Sequence, residues 1–66
     1  MHMQQELAPG QIVRNPAAAD WGLGQVQSVV GARVTVNFEH MGKMTINTAV
    51  VTLDVVEPPL SLNPRA

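Results

Sequence analysis

W-G-L-G-Q-V-Q-S-V-V-G-A-R-V-T-V, residues 21–36, is the stretch whose reading decides the fold. Two glycines flank Leu23 and permit a sharp change of direction, after which apolar and polar residues alternate on either side of Gly31-Ala32. Alternation with period two is the mark of a half-buried strand, and the short gap makes the pair a hairpin. A two-residue turn at Gly31-Ala32 would pair Val30 with Arg33 and Val26 with Asn37, mixing polar and apolar residues on both faces. A register shifted by one residue pairs Val30 with Val34, Ser28 with Val36 and Val26 with Phe38, while Gln27-Asn37 and Gln25-Glu39 face outward. A one-residue slip exchanges the faces of a strand, so the second register is expected, with a three-residue loop or a bulge near Gly31 to Arg33.

The next segment supports the same parity. With His40-Met41-Gly42 as a loop, Phe38 pairs with Met44, Val36 with Ile46 and Val34 with Thr48. The opposite face then carries Glu39 beside Lys43, Asn37 beside Thr45 and Thr35 beside Asn47. Upstream, Gln11–Asn15 is a short strand that Pro16 must end, because proline has no N–H for a ladder. Ala17–Asp20 could make one helical turn, but no apolar face continues it and it reads as a loop. Trp21 caps one end of the core. Downstream, Thr48–Val51 breaks the alternation and suits a short helical turn, and Leu53–Val56 is a last strand ended by Pro58-Pro59.

Five short strands without room for crossover helices predict an all-β, five-stranded antiparallel small barrel with a short helical turn before the last strand. Residues 1–8 read as a flexible lead-in, 9–57 as the barrel and 58–66 as a flexible proline-containing tail. The expected core is Val13, Trp21, Val26, Val30, Val34, Val36, Phe38, Met44, Ile46, Val50, Leu53 and Val55 or Val56, with Ser28 turned inward among them.

Composition narrows the function classes. A chain of 66 residues makes one small domain, and one this size buries only about 60% of the surface its unfolded form exposes. A deep catalytic cleft is not expected. Cysteine is absent, so packing alone must hold the fold. Four Lys/Arg against five Asp/Glu give a net charge of -1, which disfavours non-specific attraction to a polyphosphate backbone. No run approaches the roughly 18 apolar residues of a membrane span, and M-H-M-Q-Q-E lacks the apolar centre of a signal peptide, which predicts a cytoplasmic protein without membrane contact.

The motifs P-G-Q-I-V-R-N-P, W-G-L-G-Q-V and R-V-T-V-N-F-E-H-M-G-K resemble a small bacterial family of uncharacterised SH3-like (Tudor-like) domains, over about Pro9 to Glu57. More distantly they are similar to the C-terminal Tudor-like domain of UvrD/PcrA-type repair helicases. Val13, Arg14, Trp21, Gly22, Gly24, Val26, Val34, Val36, Phe38, Gly42 and Lys43 occupy the matching places, whereas Asn15 stands where those helicases carry histidine and the Asn15–Asp20 loop is longer. The resemblance implies an SH3-like barrel that binds protein, with RNA polymerase or the DNA-repair machinery as the partner.

Catalysis is hard to assemble from these residues. His2 and His40 have no cysteine to pair with, no two carboxylates stand at a recognisable spacing, and Glu39-His40 in extended chain point to opposite faces, so neither an active site nor a metal site is expected. No cofactor is implied: the glycines around Leu23 are followed by neither the lysine nor the long helix of a phosphate-binding loop. A methyl-lysine reader needs a cage of several aromatic rings, and the chain has Trp21, Phe38 and no tyrosine. The expected function is therefore a non-catalytic protein-interaction module, relevant to transcription or DNA repair, using Arg14, Asp20, Trp21 and Leu23 or an exposed strand edge. The alternative is a KOW-like nucleic-acid-binding module, in which Arg14, Arg33 and Lys43 contact phosphates and Trp21 stacks on a base.

Overall fold

The structure, a computed structural model, describes residues 6–57. The expected tails at 1–5 and 58–66 lie outside the described residues. Five strands form one antiparallel sheet: β1 (Ile12–Arg14), β2 (Leu23–Val30), β3 (Arg33–Phe38), β4 (Gly42–Asn47) and β5 (Asp54–Glu57), in the spatial order β4-β3-β2-β1-β5. This is the all-β, five-stranded antiparallel small barrel that the alternation predicted. The helical turn before β5 is present as well, since the Asn47 carbonyl accepts the N–H groups of both Val50 (3.0 Å) and Val51 (2.9 Å). Among the described residues no helix is long and apolar enough to cross a membrane.

The expected parity of the central hairpin is right around Val26, but the irregularity sits elsewhere. Val30 pairs with Arg33 across a two-residue turn, in which Gly31 takes a φ of 59° and Ala32 does not take a positive φ, the arrangement favoured when glycine comes first. The extra residue is Gln27: Gln25 faces Asn37, Val26 faces Val36, and beyond the bulge Ser28 faces Thr35 and Val29 faces Val34. The physical reason is economical. Gln25 and Gln27 are exposed, so bulging the strand there sacrifices no apolar burial, and it turns the Ser28 hydroxyl outward. Val30, expected inside, is consequently 70% exposed, and Val29 packs on the core instead.

The second hairpin keeps its parity with a register two residues from the expected one. Phe38 pairs with Gly42, Val36 with Met44 and Val34 with Ile46, so the loop is Glu39-His40-Met41 and Gly42 closes it with a φ of 74°. A two-residue shift leaves every side chain on its face, which is why Val34, Val36, Phe38 and Ile46 are buried as expected. Lys43 lies opposite Asn37, not Glu39.

The core consists of Val13, Val26, Val34, Val36, Phe38, Ile46 and Leu53, with Leu7, Trp21, Val29, Met44 and Val51 packed against it. Among the described residues packing begins at Leu7, which precedes Pro9. Val50 and one of Val55 and Val56 were expected inside, and all three are exposed. Val50 sits at the tip of the helical turn, and a register shift between Ile12 and Val13 in the β1–β5 ladder disturbs the facing of the last strand. The segment Ala19–Trp21, read as loop, is a single 3-10 turn. It follows from Asn15, whose buried side chain accepts the Ala17 N–H at 3.0 Å while its carbonyl accepts that of Ala18 at 2.9 Å, starting a tight coil that Pro16 tolerates.

Candidate functional site

The site is built where the 3-10 turn meets the β3–β4 loop. Gly22 follows the turn with φ 82° and ψ -165°, a conformation open to glycine, and sends the chain into β2. A Cβ at this position would lie 2.7 Å from both Glu39 Oε1 and His40 Cδ2. That closeness exists because the loops are bonded together: His40 N–H donates to the Trp21 carbonyl (3.0 Å), Glu39 N–H donates to the Leu23 carbonyl (2.8 Å), and Leu23 N–H donates to Glu39 Oε1 (2.9 Å).

The kink separates two neighbouring apolar side chains. Trp21 turns towards the core, half-buried, with its ring edge-on to Phe38 at 5.1 Å and an interplanar angle of 66°. Phe38 in turn lies over Gly24, where a Cβ would be 2.7 Å from the ring, so Gly24 is the hollow that receives it. Leu23 goes the other way and stays exposed as the cross-strand neighbour of Arg14.

Beside Leu23 the outer face of the sheet holds an open groove of about 570 Å³. Ile12, Leu23 and Val56 supply its apolar lining; Gln25, Asn37 and Glu39 supply amide and carboxylate groups. Ile12, Gln25 and Asn37 form one row across the ladders, and Lys43 continues that row onto the edge strand.

Of the residues singled out from sequence, Arg14 and Leu23 are brought together, Asp20 is exposed on the adjoining 3-10 turn, and Trp21 is drawn under the loop as a plug. Lys43 stands at one margin of the row. Arg33 is remote: it lies four residues along β3 from Asn37, a strand distance of about 13 Å, beside a smaller depression shared with Val30, Ala32, Thr45 and Asn47. The three cations are therefore dispersed over the outer face, and Arg14 has Asp54 directly opposite in the β1–β5 ladder. Ile12, Gln25, Asn37 and Val56 were missed as site residues. Their signal was present in the outward polar row, but it was hidden until the bulge at Gln27 paired Gln25 with Asn37. Among the described residues no group of three His, Asp or Glu side chains is placed to hold a metal ion.

Residues 7–56 of the 66 match the family model described as a protein of unknown function, DUF3553. The chain belongs to the DUF3553 family. No curated protein and no solved structure matches it. Among the described residues the limits of the DUF3553 match coincide with physical ones: Leu7 is the first residue packed on the core, and Val56 is the last that lines the groove.

Proposed function

We propose that this DUF3553 domain is a non-catalytic protein-interaction module whose binding surface is the groove around Leu23. The observation that carries this reading is the half-buried Ile12 and the exposed Leu23 and Val56 set beside the amides of Gln25 and Asn37. Apolar area supplies affinity on desolvation, and fixed polar groups orient what binds. The bonded loops beneath hold the surface in place before a partner arrives, which reduces the ordering cost of association.

The resemblance to the C-terminal Tudor-like domain of repair helicases makes RNA polymerase the first partner to try, and transcription or repair the process to examine. A KOW-like nucleic-acid reading fares less well on the same surface. Its cations are scattered, Arg14 faces Asp54, and Trp21 is packed on Phe38 where a base would need its face.

The test is a titration of labelled domain with RNA polymerase, alongside Leu23→Glu. Saturable binding that the substitution removes supports the proposal. Absence of binding at about 10 μM or above, where even a small specific interface begins to associate, overturns the polymerase assignment. A salt-dependent shift with RNA or duplex DNA would move the domain to the nucleic-acid class.

A further inference from the structure

Among the described residues the sheet has two open edges, β4 and β5, and they are not equally protected. Unpaired edges invite a further strand unless they are short, charged, bulged or followed by proline. β5 has all four devices: four residues, Asp54 and Glu57 within it, a register irregularity against β1, and Pro58-Pro59 next in sequence. β4 has six residues, G-K-M-T-I-N, with Lys43 as its single charge.

The main-chain bonds fix which residues of β4 turn their donors and acceptors to the open side. Thr48 N–H donates to the Ala32 carbonyl at 2.8 Å, which makes that pair a bonded one. In an antiparallel ladder bonded pairs alternate, so Ile46, Met44 and Gly42 bond to β3, and the N–H and C=O groups of Lys43, Thr45 and Asn47 face the open side. The Asn47 carbonyl is already used by the helical turn.

We propose that β4 pairs antiparallel with β4 of a second copy of this chain, about a two-fold axis through Thr45. Thr45 then faces its counterpart, Met44 faces Ile46, and Lys43 faces Asn47, so both apolar residues stay on the inner face and no like charges meet. Centring the pair on Lys43 would oppose two cations, and pairing β5 with itself would oppose Asp54 and Glu57. The same axis accounts for two exposed apolar side chains outside the groove. Met41 (46% exposed) precedes β4 and Val50 (78% exposed) follows it. Lys43 opposite Asn47 brings the β3–β4 loop with Met41 next to the second copy's turn that follows Asn47 and carries Val50, and the two-fold axis makes this approach occur twice. Four main-chain bonds are available: a reciprocal pair at Thr45, and Asn47 N–H to the Lys43 carbonyl at each end. An interface of this size belongs to the weak, concentration-dependent class.

Sedimentation equilibrium from about 10 μM to about 1 mM, the range where small interfaces associate, should show a monomer–dimer equilibrium. Over the same dilution series the amide resonances of Lys43, Thr45 and Asn47 should move, and those of Ile12 and Gln25 should not. Thr45→Pro removes the N–H on the axis but also disturbs β4, so the decisive variants are Met41→Lys and Val50→Lys at exposed positions. Each should weaken dimerisation by about tenfold or more, the equivalent of losing one buried apolar contact. Leu23→Glu should leave dimerisation unchanged, which separates this surface from the groove. A monomer at every concentration, a dimer indifferent to both lysine variants, or dilution shifts confined to β5 or the groove would overturn the proposal.

Discussion

Glu39 and Leu23 hold each other twice: the Leu23 N–H donates to Glu39 Oε1 at 2.9 Å, and the Glu39 N–H donates to the Leu23 carbonyl at 2.8 Å. One of these bonds is charge-assisted and depends on the side chain; the other is main chain and survives substitution. Glu39→Ala should therefore destabilise the domain by about 1 kcal/mol, the usual net worth of such a bond at an exposed site, and Glu39→Gln by less because an oxygen acceptor remains. Urea denaturation monitored by Trp21 fluorescence measures both. A loss for Gln equal to that for Ala would contradict the assignment.

Gly24 tests the packing beneath the groove. An added methyl would come within 2.5 Å of Val36 Cγ1 and 2.7 Å of the Phe38 ring, so Gly24→Ala should cost about 1–3 kcal/mol through overpacking. At Gly31 nothing lies within 4 Å, and the only demand is the positive φ. Gly31→Asn should thus be nearly neutral, whereas Gly31→Val should destabilise, since a β-branched residue tolerates that backbone region poorly. Thermal melts of the three variants give the comparison directly.

The bulge predicts opposite behaviour for adjacent valines. Val29 packs on the core opposite Val34, and Val30 points to solvent opposite Arg33. Val29→Ser should lower stability by about 1–2 kcal/mol, while Val30→Ser should change it by less than about 0.5 kcal/mol. Equal losses would place the irregularity back in the turn.

Trp21→Ala should remove the edge-on contact with Phe38 and open the end of the core, at a cost of about 2–4 kcal/mol. For a domain this small that is a large part of its total stability. Leu23→Glu should leave the denaturation midpoint almost unchanged, because Leu23 is 38% exposed and its main-chain bonds persist. Stability and partner binding should therefore separate at neighbouring residues.

These contrasts show what could be read from sequence. The inward set Val26, Val34, Val36, Phe38 and Ile46 follows from period-two alternation, which is robust to a slip of two residues; for that reason the wrong partners in the second hairpin did no harm to the predicted faces. A slip of one is different. Parity demanded a single extra residue, but local pattern could not say whether it sat at Gly31 or at Gln27, because that choice depends on Gln27 being exposed and on the turn tolerating only two residues. The candidate site inherited the same ambiguity. Arg14 and Leu23 were legible as neighbours of the glycine loop, whereas Ile12, Gln25, Asn37 and Val56 come together only through ladder register.

The pairing of β1 with β5 has a consequence for how such a unit can be carried. Ile12 faces Glu57 across that ladder, so the first and last strands lie side by side, on the order of 5 Å apart as in any antiparallel pair, with Leu7 to Gln11 leading into the first. A host protein could accommodate the whole domain inside one of its surface loops without spreading that loop's two stems, just as it could append it to a terminus.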